Sequence, residues 1–566
     1  MTTYDPPRPW IASYAEGVPA DLAPVSGSLV DIVAESARDH PTAPALQFFG
    51  RETTYIELQD QIDRAAAGLR ALGVGAGDRV AIVLPNCPQH IVAFYAILRL
   101  GAIVIEHNPL YTARELRKQF EDHGAKVAIV WSKVVGTVQA FPADLAISSL
   151  ISVDLTRAMP WKMRAALRLP ISRARDAREA LHASVSGTIT WERIVSGEPL
   201  PATHTKPATD DVALIQYTSG TTGSPKGAVL THRNLLSNAA QARSWVPSIT
   251  RGPGCVVYAV LPMFHAYGLT LCLTFAMSMG ARLVLFPRFD PDMVLEVTQK
   301  NPATFLPLVP PIADRLLSRA LEKGISLAGT DVAISGAMAL PHELVVPFEE
   351  ETGGYLVEGY GLSETSPVLM ANPVAANRVP GTVGLPLPGT ECRVVNPDDP
   401  TVDVAEGEPG ELIVRGPQVF RGYYGKPEET EAVFVDGWFR TGDIVQIDDA
   451  GFVRIVDRIK ELIITGGFNV APTEVEQALR QHAAVVDAAV VGLPSEHSGE
   501  EVVAAVVVDG DEDVDVEGIR EFARGILTPY KVPRRVFVID ELPTSLIGKV
   551  LRRQVRDRLL ALTSGD

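Results

Sequence analysis

Short runs of β-branched and aliphatic residues alternate along the chain with stretches whose apolar positions recur at helical spacing. RVAIVLP (79–85) leads into the helical PQHIVAFYAILRLG (88–101) and then AIVIEHNP (102–109). KVAIVWS (126–132) is a further strand run, and ARLVLFP (281–287) precedes the helical PDMVLEVTQK (291–300) and TFLPLVP (304–310). Such alternation predicts α/β layers, with helices covering sheets. Between Gly384 and Gly451 the texture changes to close-spaced turns, LPLPGTEC, NPDDP, EGEPGE and RGPQVFRGYYG, which predict a small, largely antiparallel β unit. From Thr473 onward the pattern is again α and β: helix TEVEQALRQH, strands AAVVGLP and EVVAAVVVD, helix VEGIREFARGI, strand RRVFVID. The expected fold class is therefore α/β, with a junction in the charged DRIKE run near Arg458 to Lys460.

At 566 residues the chain exceeds one ordinary core and predicts several domain-sized units. Hydrophobic residues make up 46% and charged residues 21%, which excludes global disorder. The net charge of -17 argues against nucleic acid as a general partner, so any anionic ligand must meet positive charge locally. Cys87, Cys255, Cys272 and Cys392 lie far apart and suggest neither a zinc site nor a disulfide framework. The first thirty residues lack a basic start followed by an apolar run, so a cytoplasmic protein is expected. The most apolar stretch, Ile91 to Ile105, is broken by Arg99 and is too short to span a bilayer.

YTSGTTGSPKG, Tyr217 to Gly227, packs three glycines, five Ser or Thr hydroxyls and one lysine into one segment. Glycines let backbone N–H groups approach an anion, hydroxyls add donors and Lys226 adds charge, which together make a phosphate cradle. It is not the kinase or GTPase P-loop, because Pro225 precedes the lysine and Gly227 follows it. GYGLSET (359–365) sets an aromatic between glycines and an acid after a hydroxyl. GWFRTGD (437–443) ends in an Asp on a tight turn, suited to ribose hydroxyls. DRIKELIITGGFNVAP (457–472) carries a bare glycine pair, and SLIGKVLRR (545–553) sets Lys549 behind Gly548. Each motif alone also has a bland reading as a core aromatic, a turn former or a surface lysine.

In this order and spacing the motifs resemble the adenylate-forming superfamily of acyl-CoA synthetases, luciferases and peptide-synthetase adenylation domains. The resemblance runs from NPLYTARELRKQF (108–120) to VLRR (550–553), and PLYTARELRKQ, GELIVRGPQVFRGYY, GFNVAPTEVE and YKVPRRV are similar to bacterial long-chain fatty-acid-CoA ligases. It implies a large N-terminal region of two αβ layers plus a β unit, residues 1–459, and a small mobile α+β lid, residues 460–566.

The resemblance also implies chemistry: ATP activates a carboxylic acid as an acyl-adenylate, and the thiol of coenzyme A then displaces AMP. It assigns Lys549 to bridge the carboxylate and the α-phosphate. Thr218, Ser219, Gly220, Thr221, Thr222 and Gly223 with Lys226 would cradle the leaving phosphates, and Glu364, with Thr218, would hold magnesium. Tyr360 would lie on the purine, Gly336 and Ala337 along its edge beside Glu358 and Gly359, Ser363 at the α-phosphate, and Asp443 with Arg458 at the ribose. His265, in LPMFHAYG, would line the carboxylate and acyl channel. Lys460 would be the hinge, and Gly466 and Gly467 the passage for the pantetheine arm.

Ser363 stands where Thr is commoner, and Glu358 where family members often carry a neutral amide. Two acceptors stay open, coenzyme A and a carrier protein; the lack of an appended carrier module favours coenzyme A. A dead scaffold is disfavoured, because Lys549, Glu364 and Asp443 are all kept. Long-chain, medium-chain and aromatic acids remain open as substrates, and so does the oligomeric state, a homodimer included. Arg157 to Arg178 holds seven basic residues with Met159, Trp161 and Leu167 interspersed, either a solvated surface or a peripheral contact with anionic membrane.

Overall fold

A computed structural model of the chain describes residues 8–218, 225–465, 468–495, 499–509, 515–545 and 548–563. It is a mixed α/β protein with a large N-terminal region of sheets and a small C-terminal α+β region. Two compact units divide it: Tyr14–Thr390 with Arg415–Ala432, and Met1–Ser13 with Glu391–Val414 and Val433–Asp566.

The larger unit contains two sheets. In one, strands Arg79–Val83, Ile103–Glu106, Val127–Trp131, Ser149–Val153 and Val212–Thr218 run parallel, and Lys226–Thr231 closes the edge antiparallel to Val212–Thr218. In the other, Val256–Ala259, Arg282–Leu285, Phe305–Leu308, Val332–Ser335 and Tyr355–Gly361 are parallel, with Pro44–Phe48 joined beside Arg282–Leu285. These strands are almost wholly buried, as the continuous apolar runs require of parallel strands covered on both faces.

Local chemistry sets the helix ends. Thr54 and Glu57 form a capping box on Tyr55–Ala71, and Thr112 with Glu115 does the same for Ala113–His123. Ala113–His123 stops at Gly124, whose φ of 58° is left-handed. Pro88–Arg99 starts on proline and is buried on every face, so its apolar run is a core helix. Among the described residues no helix is long and apolar enough to cross a membrane.

The smaller unit also holds two sheets. The turn-rich region forms antiparallel pairings between Gly410–Arg415, Trp438–Ile447, Phe434–Val435 and Val453–Arg458. Beyond it, Val485–Ser495 and Gly499–Val508 form a long antiparallel pair, and the other edge of Gly499–Val508 is joined by Ile463–Thr465, antiparallel at Gly499, and by Arg535–Val538, parallel. Helices Pro472–Leu479 and Val516–Arg524 bury Val475, Leu479, Ile519 and Ala523 in that sheet's core. The expected boundary at 459/460 falls inside this unit, where strand Val453–Arg458 gives way to the turn Ile459–Glu461.

Candidate active site

The motif residues of the larger unit gather at the carboxyl ends of its parallel strands, where open α/β sheets place their ligands. Thr218 ends strand Val212–Thr218 and pairs directly with Lys226, the first residue of the returning strand. Gly227 next to it is obligatory, since a Cβ there would lie 2.5 Å from Ile215 Cγ2. Lys226 forms an ion pair with Glu429 and stands 5.2 Å from the ring centre of Tyr423. The cradle residues Ser219, Gly220, Thr221, Thr222 and Gly223 lie outside the described residues.

Glu364 sits in the tight turn Ser363–Thr365, which packs against both strands of this hairpin. Its carboxylate accepts the Tyr423 hydroxyl at 2.8 Å, and its carbonyl accepts the Phe420 amide at 2.7 Å. Burial and the adjoining Glu364 carboxylate push the Tyr423 phenol well above its ordinary pKa, so it stays a donor. The Glu364 carboxylate and the Thr218 hydroxyl, on elements that pack together, are oxygen donors of the kind magnesium takes, an ion that uses few protein ligands and fills its shell with phosphate and water.

The residues expected beside the adenine lie on and after two neighbouring parallel strands, with Ser335 in register with Glu358. After Ser335 the chain turns through Gly336 and Ala337, and Ala337 takes a left-handed φ of 68°. Gly336 has no space for a side chain, because a Cβ would lie 3.0 Å from the Tyr267 ring. Tyr267 is buried, with its hydroxyl within hydrogen-bond distance of the carbonyls of Ile334 (2.8 Å) and Leu308 (3.1 Å). Gly359 lies against Ile334, Tyr360 is buried, and Ser363 is half-buried one residue before Glu364. Glu358 lines a small open recess together with His342, Asn372 and Arg378. Desolvation pushes its carboxyl up to about 8, and a backbone hydrogen bond at Leu340 opposes this.

His265 caps the short helix Ala266–Gly268, its Nδ1 accepting the Tyr267 amide at 3.4 Å. The loop before it is pinned by Asn86. That side chain donates to the carbonyls of Ala259 (2.9 Å) and Leu261 (2.7 Å) and accepts the Met263 amide at 2.8 Å. A wholly buried π-helical turn, Leu269–Thr274, follows, an irregularity frequent at functional sites. Tyr267 thus ties the His265 loop to the strand ends carrying Gly336.

In the smaller unit Asp443 and Arg458 are paired in register across two antiparallel strands, with Arg458 Nε 2.9 Å from Asp443 Oδ1. Asp443 is only 2% exposed, whereas the Arg458 side chain remains 42% exposed. Thr441 fixes the turn by donating to the Leu412 carbonyl and accepting the Asp443 amide. Lys549 belongs to the same cluster. Desolvation and the cations Arg458 and Arg552 press its ammonium down to about 8, against Glu461 and Asp443. The Lys549 carbonyl and amide bond to Ser545, and Gly548 takes a left-handed φ of 79°.

Arg552 joins the turn Ile459–Glu461, through Glu461, to helix Pro472–Leu479, through Glu476 at 2.8 Å and Thr473 at 3.2 Å. Lys460 occupies the middle of that turn. Gly466 and Gly467 lie outside the described residues. Tyr423, Glu429, Tyr267, Asn86 and Arg552 are the partners that motif reading did not single out. Tyr423 stands in the quoted RGYYG, where it reads only as part of a turn.

The motif residues of each unit are thus grouped, those of the larger unit at its strand ends and Lys549 with Asp443 and Arg458 in the smaller one. The chain belongs to the AMP-binding enzyme family. The model of the AMP-binding enzyme matches residues 33–424, and that of the AMP-binding enzyme C-terminal domain matches residues 474–549. It is 37% identical over 553 residues to a long-chain-fatty-acid–CoA ligase of Bacillus subtilis (strain 168), covering 97% of both chains. It is 35% identical over 543 residues to 4-coumarate–CoA ligase 2 of Oryza sativa subsp. japonica, covering 93% of this chain and 91% of that one. Its fold is similar to ATP-bound MatB from Rhodopseudomonas palustris, with a TM-score of 0.80 and 30% identity, covering 94% of this chain and 99% of that one.

Proposed function

We propose that the acid activated by this acyl-CoA ligase is a long-chain fatty acid, joined to coenzyme A through an acyl-adenylate with release of AMP and pyrophosphate. The observation that carries the reading is likeness across 97% of both chains to a ligase of that specificity, together with retention of Lys549, Glu364 and Asp443 in their motifs.

In the first half-reaction a carboxylate must approach the charged phosphates of ATP. Lys226 and the hairpin backbone bind the departing phosphates, which requires Lys226 to exchange Glu429 for the ligand. Lys549 carries its positive charge between the carboxylate and the α-phosphate, where charge develops; one such donor is worth roughly a hundred- to a thousandfold in rate. Glu364, with Thr218, would hold a magnesium ion, which would supply charge to the phosphates. Asp443, oriented by Arg458, accepts the ribose hydroxyls. His265 orients the carboxylate at the mouth of an apolar channel.

In the second half-reaction the thiol displaces AMP after the lid, residues 460–566, turns about Lys460 and carries Lys549 away. A hinge of this kind concentrates the backbone change in one or two residues. The cytoplasm is the compartment this reading assigns, and four free, buried cysteines suit a reducing one.

The 35% likeness to a coumarate ligase supports a second reading, an aromatic acid. Pyrophosphate exchange over a panel of acids, followed by kcat/KM with coenzyme A saturating, separates the two. Each methylene buried in an apolar channel contributes about 0.8 kcal/mol, close to fourfold per carbon. Activity is expected to climb steeply with chain length, to acids of about twelve to eighteen carbons. A maximum at acetate, a medium-chain acid or coumarate overturns the long-chain reading.

A further inference from the structure

Between Asp154 and His182 the larger unit carries an excursion whose ends nearly meet, His182 Nδ1 lying 3.4 Å from Asp154 Oδ1, and Leu155 and Met159 at its start are buried. Both ends are anchored. Gln89 donates to the Asp154 carbonyl, the Trp131 indole to the Leu181 carbonyl at 2.9 Å, and the Ala183 amide to Ser132. The excursion carries two helices, Trp161–Ala166 with no buried residue and Ser172–Leu181 with only Ala174 buried. Ordered helices with no core to cover need another reason for their apolar side chains.

Those side chains are unusually placed. Trp161 is 72% exposed, Leu169 53%, Ile171 54% and Met163 38%; of the fourteen large apolar side chains exposed among the described residues, four fall in this stretch. The cations around them are uncommitted. Arg157 and Arg175 approach carboxylates at 3.7 and 3.9 Å, but Lys162, Arg164, Arg168, Arg173 and Arg178 form no ion pair among the described residues. The Lys162 ammonium stands 5.8 Å from the Trp161 ring. Residues 157–178 hold one acid, Asp176, in a chain of net charge -17. A solvated surface explains the charge but not the exposed Trp, Leu, Ile and Met, and a polyanion such as RNA would leave those aliphatic side chains in water.

We propose that residues 157–178 dock on the anionic face of a lipid bilayer. Trp161, Leu169 and Ile171 enter the headgroup boundary, while Arg164, Arg168 and Arg173 meet lipid phosphates. Aromatic and aliphatic side chains amid arginine are what that interface selects. The inference does not depend on the acid's chain length, since it concerns a surface and not the acyl channel.

Sedimentation of the full chain with vesicles of phosphatidylcholine, alone or mixed with phosphatidylglycerol, tests it. Binding is expected only to the mixed vesicles and should weaken as salt rises. Replacing Arg164, Arg168 and Arg173 together by Gln should reduce that partition by about a hundredfold, near a factor of five per cation. Replacing Trp161, Leu169 and Ile171 by Ser should reduce it by roughly tenfold or more. Both variants should keep the parent's melting temperature and its turnover on a water-soluble acid. Equal binding to both vesicle types, no binding, or an arginine variant that binds like the parent overturns the proposal. Retention by RNA with no retention by vesicles assigns the surface to a polyanion and equally overturns it. The parent's preference between vesicle types needs no variant to fold.

Discussion

Tyr423 donates its phenolic hydrogen to Glu364 at 2.8 Å while its ring supports Lys226 at 5.2 Å, so one side chain orients both the acid and the base at the phosphate end. A hydrogen bond to a charged group is worth about 1.5–3 kcal/mol. Tyr423→Phe should therefore slow pyrophosphate exchange by about tenfold while leaving the Lys226 stacking surface intact. Glu364→Ala should lose far more and shift the magnesium titration. Magnesium titrations identical to the parent's would remove Glu364 from the metal site.

Lys549 is pressed to about 8, so its ammonium loses its proton as pH rises through that value. If charge on Lys549 drives adenylation, the rate of that half-reaction should fall above about pH 8. Lys549→Arg, which cannot deprotonate there, should abolish the falling limb even at a lower plateau. Lys549→Ala should abolish adenylation yet largely spare thioester formation from supplied acyl-adenylate. Equal losses in both half-reactions would make Lys549 a structural residue.

Glu358 is raised from 4.5 to about 8 in the folded chain. Unfolding therefore releases its proton at any pH between these values. The folded state binds more protons, and stability contributed by this group declines as pH rises from about 4.5 towards 8. Glu358→Gln removes the decline. The variant should gain melting temperature over the parent at pH 8 and little near pH 4.5. An equal shift at both pH values would mean the carboxyl does not titrate in this range.

Much of the architecture was legible because its periods are strong. RVAIVLP, KVAIVWS and ARLVLFP are strands, PQHIVAFYAILRLG is a helix, and the turn-rich 384–451 region is antiparallel β, each for the packing reason that shaped its pattern. The motif glycines were legible too, since Gly227 and Gly336 stand where a Cβ would collide. The side chains that complete the candidate site were not. Tyr423 reaches Glu364 across 59 positions, Arg552 reaches Glu476 across 76, and Asn86 reaches Leu261 across 175. Local periodicity carries no record of which distant residue closes a hydrogen bond. The union of Pro44–Phe48 with Arg282–Leu285 was hidden for the same reason.

At the proposed hinge, Lys460→Pro fixes φ near -65° and removes a backbone donor. It should slow the thioester half-reaction more than adenylation, measured separately with acyl-adenylate and with acid plus ATP. Equal rates in variant and parent would move the pivot elsewhere.

The meeting of Asp154 with His182 closes the excursion at its base, beside the buried Leu155 and Met159. Because its two ends are already side by side, its length and charge can change at a loop-closure cost that grows only as the logarithm of length, with strand Ser149–Val153 left undisturbed. The surface presented by Trp161–Ala166 and Ser172–Leu181 can therefore change independently of the residues gathered at the strand ends.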